Sequence, residues 1–165
     1  MILGNNVETF MKISFWVVGK TSEKYLTEGM QMYIGRLKHY ARLDFIEFKD
    51  VKVTASHAEL SKQESAQFLG KIQSEDFVVL LDENGRQFSS VAFAGFLEQK
   101  MIGSPKNIIF IVGGAYGHHQ LLKSRADLIL SLSELTFSHQ MVRLIFLEQL
   151  YRAFTIIRNE KYHNS

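Results

Sequence analysis

The chain has 165 residues, 46% hydrophobic and 22% charged, the size and balance of one soluble globular domain with its own core. It has no cysteine, which excludes a disulfide framework and a thiolate metal site and fits a cytoplasmic home. A net charge of +2 argues against a broad polyphosphate grip, so a nucleic-acid partner must be recognised by shape, local charge or as a pre-assembled particle.

No apolar run reaches the roughly 18 to 20 residues of a membrane span. Residues 1–10, MILGNNVETF, lack the basic and apolar regions of a signal peptide, whereas Met11 opens a strand-like KISFWVVGK. Residues 1–10 are therefore expected to be a leader or a cloning remnant, and residues 11–165 a single domain. The apolar run 12–18 predicts a strand closed by Gly19. Residues 22–39, with Tyr25, Met32 and Leu37 amid charges, predict an amphipathic helix, and 43–51 alternate as a strand with one polar face. Residues 61–73 predict a helix with a stripe of Ala66, Phe68, Leu69 and Ile72. Residues 77–81 form a continuous apolar strand covered on both faces, and 82–85 turn the chain. Ser89 or Ser90 caps a helix that stops at Gly103 and Pro105. Then come strand 107–112, the glycine turn GGAYG at 113–117, a short helix 118–126, strand 128–132 and a final helix 139–157. Strands alternating with helices mean an α/β fold with a mostly parallel sheet flanked by helices.

The polar atoms suited to chemistry concentrate in the last third. Strand, GGAYG, helix is a geometry in which backbone N–H groups approach a ligand closely. Ala115 and His118 occupy positions where the dinucleotide fingerprint needs glycine, and no P-loop is present, so a tight structural corner is an equal reading. Ser131, Ser133, Thr136 and Ser138 lie between the last strand and helix, where Thr136 or Ser138 can cap that helix. The same loop sits at the carboxyl end of a parallel strand, where its backbone could read an adenine edge between apolar walls of Leu132, Leu135 and Phe137. His139 and Arg143 share one helical face; Glu148 and Arg152 form an i,i+4 pair. The helix between them is apolar on more than one side, which calls for cover by the sheet and by a second subunit. Tyr162 and His163 read as a frayed polar end or as an aromatic and a general base. No group of residues has metal-ligand spacing, since His118 and His119 are adjacent and lack partners.

The segments LDENG, IIFIVGGAYGHH, LILSLSELTFSHQMVRLIFLEQLYRAFTII and the terminal KYH, in that order, resemble the SPOUT-class ribosomal large subunit methyltransferases of the RlmH family. The resemblance covers residues 11–164 and is most specific over 113–163. It implies a C-terminal trefoil knot, an obligate homodimer, and S-adenosyl-L-methionine as cofactor. The reaction it implies is methylation of N3 of a pseudouridine in 23S rRNA; the small positive charge adds the expectation that the assembled ribosome is the form acted on, and the residue spacing that no metal takes part. By position it implies a cofactor site at Leu81, Gly113, Leu132, Ser133, Glu134, Leu135, Thr136 and Phe137. Activity and RNA contact fall by resemblance to Glu148, Arg152, Tyr162 and His163. Arg143 joins them as a holder of phosphate or a uracil carbonyl, and His163 or a water beside it as acceptor of the N3 proton. Ser138, Lys161 and Tyr116 depart from many relatives, and none removes a polar group the reaction needs. Alternative readings are a methyltransferase of another RNA such as tRNA, a non-catalytic RNA-binding ribosome-assembly module, and, against the failed fingerprint, an NAD-binding domain.

Overall fold

The computed structural model describes residues 12–52, 56–103 and 105–164; the expected leader at 1–10 lies outside the described residues. Five strands and five helices follow in the order β1 (Lys12–Val18), α1 (Lys24–Leu37), β2 (Arg42–Phe48), α2 (His57–Leu69), β3 (Asp76–Gln87), α3 (Ser90–Gly103), β4 (Asn107–Val112), α4 (Gln120–Arg125), β5 (Leu128–Ser131) and α5 (Met141–Ile157). All strand pairs are parallel, in the sheet order β2-β1-β4-β3-β5.

Side chains alternate across each strand, so one sequence feeds two cores. Ile13, Phe15, Val17, Val79, Leu81, Ile108 and Phe110 face one way and pack under residues of α1, α3 and α5. Trp16, Val18, Val78, Leu80, Ile109 and Ile111 face the other way, against Phe68 of α2 and Leu122 of α4. Every residue of β4 is buried, as the apolar run NIIFIV demands of a strand covered on both sides. Phe146 of α5 ties the larger core together, with ring centroids 4.8 Å from Phe15 and 4.7 Å from Phe110.

Two expectations need correction. Residues 82–85 do not turn the chain: β3 runs on to Gln87, with a register shift against β5 between Leu81 and Arg86. Gly85 makes this passage possible, because a Cβ there would lie 2.6 Å from the Ile129 carbonyl oxygen. The second helix begins and ends four residues earlier than its apolar stripe suggested. Ser56 caps it, its Oγ accepting from Glu59 N–H at 3.3 Å. Its buried face is Leu60, Ser61, Glu64, Ser65 and Phe68, while Ala66 is exposed. The final helix ends at Ile157 as expected and starts two residues later than expected, at Met141, with Ser138 Oγ accepting from Met141 N–H at 3.1 Å.

Candidate active site

The carboxyl ends of β3, β4 and β5 enclose a cavity of about 600 Å³, where open parallel sheets place ligands. Leu81, Val112, Leu130, Leu132, Leu135, Phe137 and Val142 make apolar walls, and Asp82, Asn84, Lys123, Ser133 and Thr136 bring polar groups. Every expected cofactor position lines this cavity except Glu134, which is exposed outside it. The hydroxyl loop holds its own shape: Ser131 Oγ donates to Ser133 C=O at 2.9 Å and Leu135 N–H donates to Ser133 Oγ at 3.0 Å. Asp82 pairs with Lys123 at 3.1 Å. Burial works to raise its pKa, but Asn84 N–H and the Lys123 ammonium outweigh burial, so the carboxylate stays ionised below its usual range.

The glycine turn closes one wall of the cavity. Gly117 takes φ +71°, a left-handed conformation that only glycine adopts without strain, and Gly117 N–H donates back to Gly114 C=O. The turn rests on the polar face of α2. Ser61 Oγ donates to Gly117 C=O at 3.3 Å, and His119 N–H donates to Ser65 Oγ at 3.1 Å. Between them the Glu64 carboxyl accepts from Gly114 N–H. A Cβ on Gly114 would stand 2.6 Å from Glu64 Oε2, so residue 114 must be glycine for the carboxyl to reach the backbone. Glu64 is buried and its Oε2 has no hydrogen-bond partner among the described residues. Burial raises its pKa above the ordinary carboxylate value, with Asp50 adding to the rise and the Gly114 bond opposing it. His118 is buried beside the turn, its pKa lowered by burial, and lies 3.0 Å from Leu81 C=O through Nε2. A carbonyl only accepts, so Nε2 carries the proton and Nδ1 holds a lone pair.

Arg143 lies elsewhere than expected. It is fully buried and its guanidinium donates to Val18 C=O at 2.6 Å, Gly19 C=O at 2.9 Å, Thr21 Oγ1 at 3.0 Å and His139 C=O at 3.1 Å. Four of its five N–H donors are spent inside the fold and the group is closed off from solvent, so Arg143 positions the end of β1 against the start of α5 rather than holding phosphate or uracil. His139 lines the cavity, its pKa lowered by burial and then by Arg143.

The tail is built in. Glu148 Oε1 accepts from Arg152 at 2.5 Å and from the Tyr162 hydroxyl at 3.0 Å, and Glu148 Oε2 accepts from Gln149 at 2.7 Å. Arg152 Nη1 lies 3.3 Å from His163 Nδ1, and its guanidinium stands 4.9 Å over the Tyr162 ring. Burial, and then bonding with Tyr33 and Glu148, raises the Tyr162 pKa well above that of a free phenol, so Tyr162 is a neutral donor. Arg152 is held fully protonated by Glu148. The expected residues Glu148, Arg152, Tyr162 and His163 thus form one cluster. None of them lines the cavity of its own chain. From Val142 at the cavity to Arg152 is ten residues of helix, about 15 Å along the axis.

A family model described as "Predicted SPOUT methyltransferase" matches residues 11–163. The chain belongs to the SPOUT methyltransferase family. It is similar to the "Ribosomal RNA large subunit methyltransferase H" of Christiangramia forsetii, 46% identical over 93% of this chain and 99% of that one. The proteins of the same name from Cytophaga hutchinsonii and Syntrophotalea carbinolica are 43% and 46% identical, over 93% of this chain in each case and 100% and 99% of theirs. Among solved structures, the SpoU methyltransferase AviRb of Streptomyces viridochromogenes in complex with AdoMet covers 97% of this chain and 64% of its own, at TM-score 0.44 and 11% identity.

Sequence reasoning missed four polar residues in the cavity or against its glycine turn. Asp82 and Lys123 are polar cavity-lining groups, and their pairing across 41 residues leaves no local signal. Glu64 and His118 were hidden by a wrong helical face and by an adjacent histidine. The signal available for Glu64 was Ser61, Glu64 and Ser65 at i, i+3 and i+4, a polar triplet on the face that also carries Leu60 and Phe68.

Proposed function

We propose that this chain is an S-adenosyl-L-methionine-dependent methyltransferase of 23S rRNA, acting on N3 of a pseudouridine in the assembled ribosome, as a homodimer. The observation that carries the reading is the cavity of a SPOUT-family chain walled by a glycine turn and a hydroxyl loop. The curated relatives' common name supports the RNA class. The donor set fits the cofactor. Apolar walls of Leu132, Leu135 and Phe137 suit an adenine ring, loop backbone groups suit its polar edge, and the ionised Asp82 suits a hydroxyl or ammonium donor.

The cofactor supplies a methyl group on a sulfonium. The protein's residues hold, dehydrate and orient. Gly113 brings backbone within reach of the ligand, and Leu81 and Phe137 exclude water. Tyr162, a neutral donor, bonds or stacks on the base. Arg152 holds a uracil carbonyl or phosphate while Glu148 fixes its plane. His163 takes the N3 proton. Its Nδ1 faces Arg152 at rest, so substrate must displace that contact before the lone pair is free. When bound, the cofactor would supply the methyl carbon to N3 and its sulfur would keep the bonding pair, while the His163 imidazole would take the N3 proton.

Two observations support the dimer. The tail cluster lies too far along α5 to serve its own cavity, and Ile145, Ile156 and Ile157 on α5 are only half covered. The tail of one protomer would then complete the cavity of its partner. The passage of residues 82–87 over β5 supports a threaded crossing of the knot type there. No helix among the described residues is long and apolar enough to cross a membrane, and no group of three or more metal-binding side chains occurs among them.

The test is mass mapping of 23S rRNA from cells lacking the gene and after its restoration, with methyl-transfer assays on ribosomes, protein-free rRNA and tRNA. A single methyl on one pseudouridine, gained on ribosomes and poorly on naked RNA, is expected. Transfer to tRNA alone, or to none, would overturn it.

A further inference from the structure

The tail cluster continues into a larger surface that the reaction does not use. Tyr151 is its hub, with ring centroids 4.8 Å from Tyr162, 5.8 Å from Tyr33 and 5.9 Å from Tyr40. Two exposed arginines stand on this tyrosine floor. The Arg36 guanidinium is 5.6 Å over Tyr33 and 5.4 Å over Tyr151, and that of Arg158 is 4.7 Å over Tyr40. Neither makes an ion pair with a carboxylate among the described residues. The acid beside them, Glu160, accepts from the Tyr40 hydroxyl at 2.6 Å. Exposed Lys38, Arg42 and Lys161 flank the same tyrosines in the chain.

Stacking an arginine on a tyrosine face leaves its edge donors outward and its plane preset, the arrangement that suits phosphate oxygens. The charge distribution points the same way. Arg36, Arg152 and Arg158 stand over these rings, and Lys38, Arg42 and Lys161 lie within two residues of Tyr40 or Tyr162 in the chain, so cations outnumber the acids Glu148 and Glu160 along these segments. A net charge of +2 is compatible with such a local excess.

We propose that Arg36 and Arg158, mounted on Tyr33, Tyr151 and Tyr40, form a phosphate-binding rail that carries the RNA strand into the Tyr162–His163 tail. The inference rests on the proposed function and extends it from the reacting base to the flanking backbone. The rail explains how a weakly charged chain can hold RNA at one place only. Phosphate contacts fix register and carry no sequence information, so the rail adds affinity and orientation while base choice stays with the tail.

The test pairs Arg36→Gln/Arg158→Gln with Arg36→Lys/Arg158→Lys. Binding to 50S particles and to protein-free 23S rRNA is measured over a salt series, beside S-adenosylmethionine calorimetry and sedimentation. The glutamine pair should weaken RNA binding on the order of tenfold and flatten the salt slope by about one per arginine. Cofactor affinity and sedimentation should stay as in wild type, and the lysine pair should restore most of the slope. Unchanged RNA affinity and slope would overturn the rail. A change in sedimentation without a change in RNA slope would overturn it too, identifying the patch as an interface between copies of the chain. If wild type binds RNA with the expected slopes but transfers no methyl to it, the proposed function fails and the rail stands; if wild type binds no RNA, both fail.

Discussion

Arg143 places a full positive charge where no solvent reaches it, and four oxygen acceptors converge on its guanidinium. Removing the fork leaves the Val18 and Gly19 carbonyls without donors inside the fold, a penalty of about 1 to 3 kcal/mol for each buried group. Arg143→Met should therefore lower stability by about 3 kcal/mol, a fall of roughly 6 to 12 °C in Tm by calorimetry. A Tm within a degree of wild type would show that the carbonyls find other partners. The i,i+4 spacing of His139 and Arg143 was legible in the sequence, although α5 starts only at Met141 and Arg143 meets the His139 carbonyl rather than a side chain on its own face. The direction of that face was not. Only the tertiary arrangement brings the start of α5 over the end of β1, more than a hundred residues upstream, and turns a candidate substrate ligand into a brace.

At the scale of elements, α2 was the hardest to read. Its buried face carries Ser61, Glu64 and Ser65, and apolar periodicity is blind to a face that buries hydroxyls and a carboxyl. The strands behaved oppositely: 12–18 and 107–112 were legible to the residue, because burial on both sides leaves an unbroken apolar run. The polar face of α2 has a measurable signature through Glu64. Its folded-state pKa is raised, so the stability associated with its protonated form is complete below the ordinary carboxylate range. That stability is lost as pH rises through the shifted value. Glu64→Gln keeps an oxygen for Gly114 N–H and removes the titration. Thermal melts from about pH 4 to pH 7 should then show the variant gaining on wild type as pH rises. Parallel melting profiles would mean that Glu64 titrates alike in folded and unfolded chains. The hydroxyl loop lay between these extremes: Ser138 was legible as a cap from its position, and Ser133 as an organiser of the loop was not, since its partners are backbone atoms.

For the whole molecule, the parallel α/β sheet was legible from the alternation of runs, and the cavity from its place at the strand ends. The separation of cavity and tail was not, because α5 carries Val142 of the cavity and Glu148 and Arg152 of the tail cluster in one continuous run, and only its length in space sets them apart. That separation yields a sharp prediction for the assembly. Gly113→Arg should abolish cofactor binding, since even a Cβ at residue 113 would stand 3.0 Å from Gly117 C=O. His163→Ala should leave binding intact and halt transfer. If each site joins one protomer's cavity to its partner's tail, mixing and re-annealing the two inactive variants makes heterodimers with one sound site. Activity should return to about a quarter of wild type for random pairing. No recovery, with heterodimers verified by mass, would place cavity and tail of one site on one protomer.

The seating of β1 between β2 and β4 has a consequence for how the chain is made. Its inner neighbour, β4, begins at Asn107, so residues Ile13 to Trp16 wait for partners about ninety positions downstream. At roughly 5 to 20 residues per second, the first strand leaves the ribosome many seconds before the strand that buries it. The guanidinium of Arg143 arrives later still to close its end. The sheet therefore cannot close before β4 and Arg143 have emerged, and until then β2 is the only partner of KISFWVV, whose apolar faces are a natural site for a chaperone at the exit tunnel.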